Sequence, residues 1–185
     1  MGSDAEVRFV AIRRVEVTDA EAIERYAADA RIAATSHVPH PYPTGGGAMF
    51  VQSAVAGWRK GFERSFAVTV DGQLAGLISL MSINRLQASA QVGYWIAVPF
   101  WGGGVATEAL RLTIRVGFDE LGLVELGAGC LDVNVASARV LEKNGFQEQG
   151  CFRYEGPDER FRGRQVRTFK LSRTDEKRMK SKYIP

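Results

Sequence analysis

Cysteine is scarce, with two in 185 residues. Cys130 and Cys151 show neither CxxC nor zinc-ligand spacing, which excludes a disulfide scaffold and a cysteine-held metal and leaves two reduced, half-buried thiols. Long apolar runs are also missing. Leu86–Thr107 carries no charge, but Gln87, Ser89, Gln91, Pro99 and the Gly102–Gly104 run make it a poor lipid helix. The opening Met-Gly-Ser-Asp-Ala-Glu lacks the basic and apolar regions of a secretion signal. These absences point to a cytoplasmic protein with no membrane association. An excess of one charge is lacking too. The formal net charge is +3, and Arg173–Pro185, with five Lys or Arg against Asp175 and Glu176, accounts for all of it. A neutral remainder argues against a nucleic-acid-binding face, and the basic end reads as a solvated tail.

What is present is ordinary for a globular chain: 45% hydrophobic and 24% charged residues. One domain of this length buries about two-thirds of its unfolded surface, enough for a core without staples. The pattern predicts an opening strand at 7–13, then a helix over 20–34 that Thr18 or Asp19 caps, with Ile23, Ala27, Ala30 and Ala34 on one side. Three prolines and three glycines between Ser36 and Gly47 exclude regular structure there. A second helix spans 48–64. Strands follow at 66–70, 74–83 and 91–98, the first two joined by an Asp71-Gly72 hairpin turn. Val92, Tyr94, Ile96 and Val98 share one face of the third, which Pro99 stops.

After Pro99 the architecture changes. A helix over 105–121 connects to a strand at 124–131, so that strand lies parallel to its predecessor. A short helix over 135–144 and an antiparallel pair at 146–154 and 166–172 complete one α/β (α+β) domain from 7 to 172, followed by the tail 173–185. The expected sheet is mixed, mostly antiparallel, with six to seven strands and about four helices.

Two segments carry candidate chemistry. Gly102, Gly103 and Gly104 stand where a helix exposes its first unpaired amides, a natural seat for a phosphate, although a tight turn would use glycines as well. A Walker loop is excluded because Val105 follows Gly104. A dinucleotide fingerprint is excluded because the loop comes mid-chain after antiparallel strands. Asn134 caps the next helix through the amide of Ala136 or Ser137, and taken alone that cap explains the segment.

Together, Trp101-Gly-Gly-Gly-Val-Ala-Thr-Glu-Ala-Leu110 and Asn134-Val-Ala-Ser-Ala-Arg-Val-Leu-Glu-Lys-Asn-Gly-Phe146 resemble the paired signatures of GNAT acetyltransferases, in the form of the RimJ/RimL-like branch. Pro39-His-Pro-Tyr-Pro43 is similar to that branch's substrate loop. The resemblance implies acetyl-coenzyme A as co-substrate, no metal, and a V-shaped splay in the sheet. The pyrophosphate would lie on the amides of Gly102, Gly103, Gly104, Val105, Ala106 and Thr107, although Trp101 replaces the usual Gln or Arg. The pantetheine would pair with Ile96, Ala97 and Val98, where an amide also serves the oxyanion. It implies Ser137 as proton donor to the leaving thiolate, Tyr154 as its rival, Asn134 as an orienting group, and Pro39, His40 and Tyr42 at the acceptor.

No base is evident. Glu155, Asp158 and Glu159 read equally well as surface charges, and the branch's glutamate falls on Gly127-Ala128-Gly129. His37 and His40 flank the proline loop, and Arg153, Arg160, Arg162, Arg164 and Arg167 cluster near the last hairpin; solvated surface accounts for both groups. An α-amine is roughly 10–20% neutral at pH 7 and a lysine only about 0.04%, so the lack of a strong base favours an α-amine of a protein or peptide. A small amine such as a polyamine, amino acid or antibiotic is the alternative acceptor. A non-catalytic acyl-coenzyme A-binding module is the alternative to an enzyme. The protein is expected as a monomer or homodimer.

Overall fold

The computed structural model describes residues 9–176. Most of the basic tail, and the first residues expected in the opening strand, lie outside that range. Seven strands form one sheet in the order β1-β2-β3-β4-β5-β7-β6. They are β1 (Val10–Arg14), β2 (Arg64–Val70), β3 (Gln73–Asn84), β4 (Ser89–Ile96), β5 (Glu125–Leu131), β6 (Gln147–Arg153) and β7 (Gln165–Ser172). Every neighbouring pair is antiparallel except β4 and β5. The helix between those two strands imposes the parallel pairing.

Both faces of the sheet are covered, which alternation along the strands makes possible. Phe66, Val68 and Val70 of β2 turn toward a large cluster with Ile78, Leu80, Leu110, Phe118, Leu126 and Leu171. Ala67 turns the other way, with Leu74 and Leu77, to meet Ile23, Val51 and Ala54. The helices that supply this second cluster are α1 (Ala20–Ala27) and α3 (Gly46–Lys60); on the first side lies α4 (Val105–Arg115). Each fully buried Leu, Ile or Phe contributes about 1.5–3 kcal/mol, so the core is distributed across the sheet and does not depend on one residue.

Two helical expectations change. The single helix expected over 20–34 is broken, because Asp29 caps a separate α2 (Ala30–Ala33) by accepting from Arg31 N–H at 2.9 Å. Ala30 and Ala34 are therefore exposed and do not join the core stripe. After β5 comes α5 (Val135–Lys143), and residues 173–176, expected as part of the tail, are helical. The second change is that α3 begins at Gly46, inside the interval expected to be irregular, and ends before Arg64, which belongs to β2. A Cβ on Gly47 would stand 1.9 Å from the Ala20 carbonyl oxygen, so glycine is what lets α3 close on α1. Glu24 caps this start, accepting from Gly45 and Gly47 N–H at 3.1 and 3.3 Å. Asp19, expected as a helix cap, accepts instead from Glu16 N–H at 2.8 Å and pairs with Arg13 at 2.7 Å.

The end of α4 departs from α geometry, continuing over Val116–Glu120 as a π-helical turn. Cys130 is buried and Cys151 exposed, so the thiols are not alike. Among the described residues no helix is long and apolar enough to cross a membrane.

Candidate active site

The parallel pair is where the sheet opens. β4 and β5 are in register only from Ser89 with Glu125 to Val92 with Ala128. Both strands continue, β4 to Ile96 and β5 to Leu131, without pairing further. This is the V-shaped splay, and it leaves one edge of Gly93–Ile96 without a neighbouring strand. Ala97 N–H donates to Ala75 on the β3 side at 2.7 Å, so alternation turns the main-chain groups of Tyr94 and Ile96 toward the opening. A cleft of about 1240 Å³ fills this opening and runs from the start of α4 to the loop before α3.

At one end of the cleft, α4 starts without a side-chain cap. Gly104, its first flanking residue, has φ +76°, and Gly102 has φ +77°. A Cβ at either would meet nothing within 4 Å, so glycine is required by backbone conformation and not by crowding. Glu108 N–H already bonds Gly104 C=O at 3.0 Å, while the amides of Val105, Ala106 and Thr107, the first turn, lack intrahelical acceptors. Gly102, Gly104, Val105, Ala106 and Thr107 line the cleft; Gly103 does not.

Of the strand residues expected to pair with a ligand, only Ile96 lines the cleft. Ala97 is fully buried with its N–H committed to β3, and Val98 has turned into a helical turn whose carbonyl accepts from Trp101 N–H at 3.1 Å. The Trp101 indole also donates to Ile96 C=O at 2.6 Å. Any added strand must therefore use Ile96 N–H and the groups of Tyr94.

In the middle of the cleft Asn134 caps α5 as expected, its Oδ1 accepting from Ser137 N–H at 3.0 Å. The Ser137 hydroxyl is 2.9 Å from the Tyr94 hydroxyl, and Cys130 is in contact with the same serine. Burial pushes the Tyr94 phenol up to about 12, against the opposing hydrogen bond from Ser137, and burial also raises the Cys130 thiol. Both stay protonated near neutrality. From the sequence Tyr94 shares one strand face with Val92 and Ile96, and nothing in that alternation points to Ser137 as its partner.

Tyr154, the rival acid, belongs to a different group at the far end. Its ring lies 5.6 Å from His37, and its hydroxyl accepts from Asp158 N–H at 3.4 Å. Pro39 and Tyr42 line the cleft there, but His40 does not, and His37 stands in its place. The acidic candidates also separate. Glu155 and Glu159 face Arg153 and Arg162 at 3.5 and 3.6 Å on the surface, whereas Asp158 is held down to about 2 chiefly by Arg160, with His37 adding to it. Arg167 pairs with Glu148 at 2.7 Å, so most of the arginines near the last hairpin are engaged with carboxylates. At Gly127 a Cβ would sit 2.5 Å from the Gln91 amide, and of Gly127-Ala128-Gly129 only Ala128 and Gly129 line the cleft.

A central helix with bare leading amides, set beside a strand left half-unpaired by a splay, defines the acetyltransferase class of fold, and residues 10–147 match the acetyltransferase (GNAT) domain family. The chain belongs to that family. Its relatives include the "Putative ribosomal N-acetyltransferase YdaF" of Bacillus subtilis (strain 168), 40% identical over 80 residues that cover 43% of this chain and 44% of the relative. Spermidine N(1)-acetyltransferase of Escherichia coli (strain K12) is 33% identical over 93 residues, 50% of each protein. The chain thus spans about half the length of the curated relatives it matches. Among solved structures, Mycobacterium smegmatis RimJ in complex with CoA-disulfide superposes with a TM-score of 0.81 at 24% identity, covering 89% of this chain and 82% of that one, a likeness of fold.

Proposed function

We propose that the protein transfers the acetyl group of acetyl-coenzyme A to an α-amine of a peptide or protein. The observation that carries this reading is the continuity of one cleft from the bare amides of Val105–Thr107, past the unpaired edge of Tyr94–Ile96, to the hydroxyl of Ser137. A diphosphate fits the first, because the amides point at an uncapped helix start and nothing crowds Gly102 or Gly104. The pantetheine amides fit the second as an added strand. At the third, Ile96 N–H would meet the thioester oxygen as the amine attacks, and Ser137 would return a proton to the departing sulfur. Asn134, already bonded to Ser137 N–H, orients that serine; Pro39 and Tyr42 bound the acceptor.

The choice of acceptor rests on charge. None of the described residues lining the cleft is Asp or Glu, while Arg31, Arg139 and Lys143 are among them. A polycation such as spermidine would find no carboxylate there, although the spermidine-acetylating relative keeps small amines as the second reading. Titration calorimetry with acetyl-coenzyme A, followed by thiol release against a panel of α-amine peptides and spermidine, tests both readings. Turnover is expected with peptides and not with spermidine. Binding without turnover across the panel would leave a non-catalytic acyl-coenzyme A module.

A further inference from the structure

The acceptor end of the cleft holds a histidine fixed from three sides. The His37 ring meets Phe161 edge-on with centroids 5.3 Å apart, tilts against Tyr154 at 5.6 Å, and places Nδ1 3.4 Å from Asp158 Oδ2. Asp158 is itself clamped: Arg160 donates to both its oxygens, at 2.9 and 2.6 Å. The same guanidinium donates to the carbonyls of Ala33 and Val38, at 3.2 and 3.0 Å, and so ties the carboxylate to the loop that carries His37. An ionised carboxylate only accepts, so Nδ1 carries the proton and the lone pair sits on Nε2, directed away from Asp158. The ring lines the cleft yet remains two-thirds exposed, which gives a proton a way out to water.

We infer that His37 is the general base of this active site, taking the amine proton on Nε2, with Asp158 as its positioning residue. The inference rests on the acetyltransfer reading and supplies the base that reading lacks. As the amine nitrogen bonds the thioester carbon, its N–H proton passes through a cleft water to Nε2 and the N–H electron pair stays on nitrogen. The C–S bond then breaks, and the sulfur takes its proton from Ser137, which water replenishes. The groups that face His37 are Asp158, Tyr154 and, through Asp158, Arg160; on its own side, Arg31 lines the cleft but is paired with Asp29 at 2.6 Å.

The test is kcat/KM against pH for acetyl-coenzyme A and a synthetic peptide with a free α-amine, with calorimetry for cofactor affinity. His37→Gln should lower kcat about 10²-fold, a typical general-base contribution, and flatten the acid limb of the profile. Acetyl-coenzyme A affinity should stay unchanged. Imidazole should restore several-fold turnover to His37→Ala, an effect a purely structural role would not give. In the wild type, nitrogen NMR should show the Nδ1–H form of His37, and Asp158→Asn should shift that balance. Wild-type kcat with the acid limb intact in His37→Gln overturns the base alone. Wild-type protein that binds acetyl-coenzyme A but releases no thiol overturns the acetyltransfer reading, and the base with it.

Discussion

The two ends of the cleft are built by different means. The end we propose for the donor is main chain: two left-handed glycines, three bare amides and a strand edge, all within Tyr94–Thr107. The end we propose for the acceptor is side chain, and its members come from far apart, with His37 and Asp158 separated by 121 positions. A backbone site survives most substitutions around it and fails only where conformation is forced. A side-chain site fails piece by piece, and it can be rebuilt for another amine without disturbing the grip on the donor.

Substitutions at each end sharpen that contrast. Ser137→Ala, between the two ends, is expected to match His37→Gln as the largest effect, lowering kcat about 10²-fold at unchanged acetyl-coenzyme A affinity. Stopped-flow detection of the released thiol measures this, and an unchanged kcat would move the acid role to Tyr154. Gly104→Val should weaken acetyl-coenzyme A binding more than about tenfold while leaving the peptide KM alone. A branched side chain at φ +76° costs about 1–3 kcal/mol and relaxes only by turning the amides away. Calorimetry at equal melting temperature checks it. Arg160→Ala should do the reverse, raising the peptide KM about threefold to tenfold through lost hydrogen bonds of about 1 kcal/mol each, with donor affinity intact. Should either variant move both constants together, the two ends are not independent.

The smallest effect lies outside the cleft. The Arg13 guanidinium and the Glu16 amide draw Asp19 below the usual carboxylate range, although burial, the largest influence, opposes them. A carboxyl lowered on folding stabilises the fold fully above its unfolded value of about 3.9, and that contribution is lost as pH falls through the lower, folded value. Arg13 is more than one-third exposed, so the pair is worth about 1 kcal/mol at most. Urea unfolding at pH 7 and pH 3 should show Asp19→Asn costing that much at the higher pH and less at the lower.

Legibility followed the same division. The strand, glycine loop and helix of the donor end are contiguous, so local pattern displayed them, and the chain order of strand, helix and strand already required the parallel pair. Within that stretch the reading was too generous at Ala97 and Val98, because the Ala75 carbonyl and the Trp101 amide claim their groups, and those partners are tertiary. The break at Asp29 had a visible signal, a capping residue inside an alanine-rich run. The start of α3 at Gly46 had none, since glycine is a poor helix former and only its closeness to Ala20 explains it. His37 looked like loop surface because Asp158, Arg160 and Phe161 meet it only after the last hairpin folds back across the sheet.

The indole of Trp101 offers a practical dividend. It is half exposed at the mouth of the glycine loop, yet anchored by its nitrogen to the end of β4. Trp58 is enclosed by the Arg14 and Arg64 guanidiniums at 4.0 and 4.6 Å and does not line the cleft, whereas Trp95 packs against the second core and lines the cleft as well. A molecule settling on those amides would strip water from Trp101, and the protein's own emission would shift to the blue. Occupancy can thus be followed by light, without a label and before any acceptor is known.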